Sequence, residues 1–168
     1  MFIFLIGMMG SGKTTLGRQL AQEIGYAFVD LDAYIVAQQG RSIAQLFAEG
    51  GEARFRELER QALEELVENH GQAVIATGGG APCFFDNIGF INHHGQSVFL
   101  DVPVEVLANR LITQGQEQRP LLAGKSRAEL ISYLAETIAH RKQFYERASY
   151  TLSASEQRVQ SIKKWLNL

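Results

Sequence analysis

Short runs of consecutive apolar residues alternate along this chain with longer stretches whose apolar positions recur every three to four residues. The runs are Phe2–Ile6, Tyr26–Asp30, Ala73–Ala76, Ser97–Leu100 and Tyr150–Leu152. Strands buried on both faces are apolar throughout, so these segments predict a parallel sheet covered by helices on each side. Lys13–Ile24 reads as the first helix, with Gly25 just past its end. Ser42-Ile43-Ala44-Gln45 and Ser126-Arg127-Ala128-Glu129 each place Ser three residues before Gln or Glu, and helices should start there. Glu52–Asn69 carries Phe55, Leu58, Ala62 and Leu66 at helical spacing, with Gly71 beyond its end. Gln114–Lys125 breaks the pattern: it is polar at its start, bracketed by Gly115 and Gly124, and interrupted by Pro120. A loop of this length inside a compact domain is expected to serve as a lid.

Composition narrows the class without naming a function. The 168 residues fit one domain, 46% are apolar and 20% charged, and the formal charge is −2. That balance gives no reason to expect a nucleic-acid or membrane partner. Cys83 is the single cysteine, which rules out an internal disulfide and disfavours a thiolate metal site. The N-terminal apolar run is short, has no basic residue before it and leads straight into glycine, so it reads as a strand and not a signal peptide. A cytoplasmic monomer is the expectation.

The first strand runs into Gly7-Met8-Met9-Gly10-Ser11-Gly12-Lys13-Thr14, a G-x-x-x-x-G-K-T phosphate-binding loop. A strand that ends in glycines and enters a helix leaves backbone N–H groups aimed at any anion above the helix N-terminus. Lys13 adds charge toward the β- and γ-phosphates, and the Thr14 hydroxyl suits Mg²⁺. The chain is therefore expected to bind a nucleoside triphosphate.

Such a loop alone does not separate a kinase from a GTPase, and other positions must decide. Asp30 and Asp32 end the second strand candidate, where open α/β sheets bind ligands. Spaced i, i+2, they can divide metal binding from activation of an attacking hydroxyl; alternatively Asp32 caps a helix and Asp30 is solvated. Asp101, ending Ser97–Leu100, competes for the metal, and Pro103 after it suits a helix start. Thr77-Gly78-Gly79-Gly80 reads either as a tight loop or as a wall where a hydroxyl-rich ligand lies against main-chain amides. Leu130, Leu134, Ile138, Arg141 and Tyr145 share one helical stripe, so Arg141 either meets an anionic ligand or snorkels over an apolar stem. Spacing gives Arg56 an ordinary surface pairing, Arg110 a place near a helix C-terminus, and Arg119 a position in the lid. The four histidines show no ligand spacing.

Together, GMMGSGKTTLGRQLA, FVDLD, FRELE, VIATGGG, RPLL and RKQFYERA resemble the shikimate kinase family over nearly the whole chain. The resemblance implies a three-layer α/β/α P-loop kinase fold of the nucleoside-monophosphate-kinase kind, with five parallel strands in the order 2-3-1-4-5. Residues 1–168 would form one domain, with a substrate-binding helical region at about 33–61 and a lid at about 114–125. It implies ATP-dependent phosphorylation of the shikimate 3-hydroxyl, a step toward chorismate and the aromatic amino acids. On these positions Gly10, Ser11, Gly12, Lys13, Thr14 and Thr15 would hold ATP, and Thr14 with Asp30 would hold Mg²⁺. Asp32 would bind shikimate hydroxyls and orient the nucleophile, while Arg56 and Arg141 would clamp its carboxylate, revising the surface reading of Arg56. Gly78, Gly79 and Gly80 would contact shikimate, Arg119 the transferring phosphoryl group, and Arg110 the adenine. The family often has a proline or extra arginine near the adenine; here Ser153-Ala154-Ser155-Glu156-Gln157 stands there, and Gln157 is carried over as the contact. Kinases for gluconate or nucleoside monophosphates share the loop and fold and are the rival readings. A nucleotide-controlled binding protein of the GTPase kind is disfavoured, since no Asn-Lys-x-Asp motif occurs.

Overall fold

The computed structural model describes residues 1–119 and 121–168; Pro120, expected to interrupt the lid, lies outside the described residues. Five parallel strands form one sheet: β1 (Phe2–Ile6), β2 (Ala27–Asp30), β3 (Ala73–Ala76), β4 (Gly95–Asp101) and β5 (Tyr150–Ser153). Their order is β2-β3-β1-β4-β5, the order expected from the family resemblance. Seven α-helices are described: α1 (Lys13–Ile24), α2 (Leu31–Gln39), α3 (Ile43–Asn69), α4 (Asn87–His94), α5 (Val104–Thr113), α6 (Arg127–Tyr145) and α7 (Val159–Leu166).

Alternation along β1 divides the interior into two cores. Phe2, Phe4 and Ile6 pack with α2 through α6, including Leu63, Ile88, Leu107 and Leu134. Ile3 and Leu5 pack on the opposite face with Leu16 and Leu20 of α1 and Ile162 of α7. Burial on both faces holds for β1, β3 and the middle of β4, but not for β2 and β5, which are largely half-buried or exposed. Those two are the sheet edges, each with one neighbouring strand, so their apolar residues reflect only partial helix cover.

Both expected capping boxes are formed, at Ser42 with Gln45 and at Ser126 with Glu129. The helix starting after Ser42 and the one expected at Glu52–Asn69 are a single element interrupted at Gly51, whose φ of 71° no helix accommodates. Sequence periodicity did not single out α4 or α7. The first is eight residues with a glycine inside it, and the second buries only Val159 and Ile162 fully.

This topology positions a site. β3 and β4 lie on opposite sides of β1 and the connections leave it in opposite senses, which opens a crevice at the carboxyl ends of the strands.

Candidate active site

The loop after β1 is shaped by its glycines. Gly7, Gly10 and Gly12 have φ of 141°, 78° and 97°, the left-handed side that a Cβ disfavours. Gly12 is the N-cap of α1 and supplies no side-chain cap, so the first amides of that helix stay free to meet an anion. Lys13 folds back over the loop, donating from Nζ to the carbonyls of Gly7 and Met8 at 2.8 Å each. Burial lowers its pKa to about 8, with Asp32 and Asp30 pulling the other way. Ser11 is fully buried, its hydroxyl 3.5 Å from Lys13 Nζ. Arg110 does more than offset the charge of the α5 terminus: Nη1 donates to the carbonyls of Gly10 and Ser11 at 3.2 Å.

Across the crevice, the two aspartates take the opposite arrangement to the capping alternative. Asp30 is the N-cap of α2, its Oδ1 accepting from the Ala33 N–H, while its Oδ2 accepts from the Thr14 hydroxyl at 2.8 Å. Asp32 lies in the first turn of α2, and its Oδ1 is buried with no hydrogen-bond partner among the described residues. Burial pushes the Asp32 carboxyl up, Asp30 adds to the push, and Lys13, Arg56 and Arg119 oppose it. A cavity of about 550 Å³ is lined by Gly10, Gly12, Lys13, Thr14, Thr15, Asp30, Asp32, Gly78, Gly79, Arg110, Arg119 and Gln157. Gln157 brings a buried amide nitrogen that has no partner among the described residues. Asp101 is not among the lining residues and is exposed at the end of β4.

Gly78 and Gly79 of the glycine triplet line this cavity, and charged side chains close on all three of its glycines. A Cβ on Gly78 would lie 2.7 Å from Glu59 Oε1 and 2.9 Å from Asp32 Oδ1. On Gly79 it would lie 3.0 Å from Arg141 Nη1, and on Gly80 2.5 Å from both terminal nitrogens of Arg56. The run of glycines is therefore not a tight loop tolerated for its flexibility. Four charged side chains press against main chain that has none of its own.

The surface pairing that helical spacing gave Arg56 is overturned, because the residue is only 7% exposed. Its Nη1 donates to Glu59 at 2.7 Å, and Nε and Nη2 donate to Glu52. Glu59, which the sequence offered only as a neighbour for a surface pair with Arg56, is 1% exposed. Burial pushes its carboxyl up to about 7 against the pull of Arg56, with Asp32 adding to the rise. The only signal in the sequence was its i, i+3 spacing from Arg56, which a surface helix shares. Arg141 faces inward as its stripe predicted; its one hydrogen bond among the described residues goes to the Met8 thioether at 3.7 Å. Tyr145, read as an apolar stripe residue, is an omission: its hydroxyl donates to the Gly79 carbonyl at 2.5 Å.

A nucleotide-sized cavity over a phosphate loop, with a buried carboxylate opposite and paired guanidinium groups beyond it, defines a P-loop phosphotransferase acting on a small acidic acceptor. Residues 9–167 match the shikimate kinase family model. The shikimate kinase of Bacteroides fragilis is 46% identical over 174 aligned positions, covering 99% of this chain and 96% of that protein. The crystal structure of shikimate kinase from Bacteroides thetaiotaomicron superposes with a TM-score of 0.93 at 43% identity, covering 99% and 98% of the two chains. That of shikimate kinase from Acinetobacter baumannii in complex with shikimate gives 0.86 at 34% identity, covering 99% and 92%. The chain belongs to the shikimate kinase family.

Proposed function

We propose that this chain transfers the γ-phosphoryl group of ATP to the 3-hydroxyl of shikimate, giving shikimate 3-phosphate for the route to chorismate. The observation that carries the reading is the glycine triplet, with Asp32, Arg141 and Arg56 each against one of its residues and the phosphate loop beside it. The loop amides from Gly10 to Thr15 and the Lys13 ammonium hold the phosphates, Arg110 and Gln157 border the nucleoside, and Arg119 meets the transferring group. Arg56 and Arg141 bind the acceptor carboxylate, since planar guanidinium donors match it in pairs. The amides of Gly78, Gly79 and Gly80 hold the ring. Asp32 accepts the proton of the attacking hydroxyl, a task for which a carboxyl with a raised pKa is suited.

The Thr14 hydroxyl and Asp30 carboxylate form an all-oxygen pair, 2.8 Å apart, beside the phosphate loop. That set fits Mg²⁺, which takes few protein ligands and completes its shell with phosphates and water. Held by Thr14 and Asp30, Mg²⁺ would supply charge neutralisation at the phosphate oxygens. Residues 114–125 are read as the lid that excludes water, and residues 33–61 as the acceptor-binding region of the single domain 1–168. No helix among the described residues is long and apolar enough to cross a membrane.

A coupled assay of ADP release tests the reading directly. Turnover should depend on shikimate and Mg²⁺, with gluconate and nucleoside monophosphates giving less than about a hundredth of the rate. Equal turnover with either rival would overturn the assignment of the acceptor.

A further inference from the structure

Between the glycine triplet and α4 the chain makes a turn that residues with side chains rarely adopt. Phe85 and Asp86 have φ of 50° and 52°, both in the left-handed region. Two such residues in succession persist only where the surroundings over-determine the turn. Here both ends are fixed. The Cys83 N–H donates to the Gly80 carbonyl at 2.9 Å. Asn87, fully buried, donates from Nδ2 to the Ala81 carbonyl at 2.8 Å and accepts from Arg60 at 3.2 Å. Arg147, just beyond α6, holds Asp86 at 3.1 Å.

What the turn delivers is the ring of Phe84. Its centroid lies 4.4 Å from the guanidinium carbon of Arg56, closer than the 5.6 Å of Phe55. Core packing does not explain this placement: among the described residues, neither apolar core includes Phe84, which is half-buried. Meanwhile Glu52 and Glu59 engage three of the five Arg56 donors, leaving one N–H on each terminal nitrogen. Both terminal nitrogens face Gly80. The two carboxylates fix the edge of the guanidinium, but nothing in them fixes its tilt.

We propose that Phe84 is a positioning residue for the reaction: its ring sets the plane of the Arg56 guanidinium so that the two remaining donors meet a planar carboxylate edge-on. The inference rests on the reading of Arg56 as a ligand of the acceptor carboxylate. It assigns part of the site's selectivity for an acid to an aromatic residue that need not touch the acceptor, and to the strained turn that presents it.

The test compares wild type with Phe84→Leu, Phe84→Met and Phe84→Tyr, using shikimate and its uncharged methyl ester as acceptors. Phe84→Leu should raise the KM for shikimate about three- to tenfold, with kcat and the KM for ATP within about twofold of wild type. Phe84→Tyr, which keeps the ring face, should restore the wild-type KM. With the methyl ester, wild type and Phe84→Leu should have equal kcat/KM. An unchanged shikimate KM in Phe84→Leu overturns the proposal, as does an equal loss on both acceptors or a failure of Phe84→Tyr to rescue. If Phe84→Leu melts early, Phe84→Met supplies the same comparison. Failure of the parent reading looks different: wild type would then not phosphorylate shikimate, or Arg56→Ala would leave its KM unchanged.

Discussion

The phosphate loop and the glycine triplet stand side by side at the ends of β1 and β3, yet they need glycine for different reasons. At Gly12 of the loop the reason is conformation alone. Gly12 has φ of 97°, but a Cβ there would meet nothing closer than 3.7 Å. In the triplet the reason is space. Gly80 has an ordinary φ of −87°, and a Cβ there would sit 2.5 Å from Arg56. One half of the site is shaped by its own backbone and offers amide dipoles to phosphate. The other is shaped by side chains from α2, α3 and α6 that converge on featureless main chain. On our reading the loop amides meet only the phosphates, and selectivity for the acceptor comes from the charges that close on the triplet.

The strongest test of that division is Asp32→Asn. It removes the carboxylate that presses on Gly78 while leaving the loop untouched. Turnover should fall about 10²- to 10⁴-fold, and ATP binding measured by calorimetry should persist. A parallel loss of ATP affinity would show that the two halves are not separable.

Next in size is a matched pair of alanine variants. Gly80→Ala displaces Arg56, so the KM for shikimate should rise more than about tenfold with the KM for ATP spared. Gly12→Ala keeps its space but forces a side chain into left-handed backbone, a strain of about 1–2 kcal/mol. Where the free loop relaxes that strain and ATP binding restores it, the KM for ATP should rise about five- to thirtyfold, with shikimate little affected. Steady-state kinetics on both substrates decides it, and the comparison collapses if the two variants give the same profile.

The same contrast explains what the sequence made legible. Strand, loop and helix from Phe2 to Ile24 are contiguous, and their chemistry is written in local spacing. The capping serines at 42 and 126 are local devices too, and both are formed as read. The acceptor side is assembled from segments more than a hundred residues apart. Helical spacing put Arg56 and Glu59 on one face of α3, but not which face is turned inward. Only packing shows that this face is buried against the triplet, and only the family resemblance had assigned Arg56 a ligand. The inward stripe of α6 was the exception, since Leu130, Leu134 and Tyr145 mark the buried side around Arg141 without any knowledge of its neighbours.

Buried charge behind the triplet should also leave a mark on stability opposite in sign to that of the loop. Glu59 is pushed up to about 7 from an ordinary 4.5. Between those values the native state holds a proton that the unfolded chain has released. Its stabilising contribution is complete below about pH 4.5 and is lost as pH rises through about 7. Asp32 shifts in the same direction and Arg56 and Arg141 oppose it, so Glu59→Gln should flatten this decline and not abolish it. Urea midpoints across the range give the slope directly. Lys13 in the loop has the opposite sign: lowered from 10.5 to about 8, it contributes fully above pH 10.5, and that contribution is lost as pH falls through about 8. A wild-type profile with no decline between pH 4.5 and 7 would remove Glu59 as a buried titrating group.

The smallest expected effect is at the one side chain where the donor half behaves like the acceptor half. Gln157 is seated against Gly12, where its Oε1 would lie 3.7 Å from a Cβ, and its amide nitrogen is buried without a partner among the described residues. An unpaired buried donor destabilises the protein that carries it, and a nucleotide acceptor atom would relieve the penalty on binding. Gln157→Leu should therefore move two quantities in opposite directions. The free protein should gain up to about 1 kcal/mol by thermal or urea unfolding. The KM for ATP should rise about two- to fivefold, with the KM for shikimate unchanged. Loss of both stability and ATP affinity would mean that Gln157 merely fills space beside the loop. Opposite signs would mean that even the backbone-built half keeps one side chain unsatisfied until its substrate arrives.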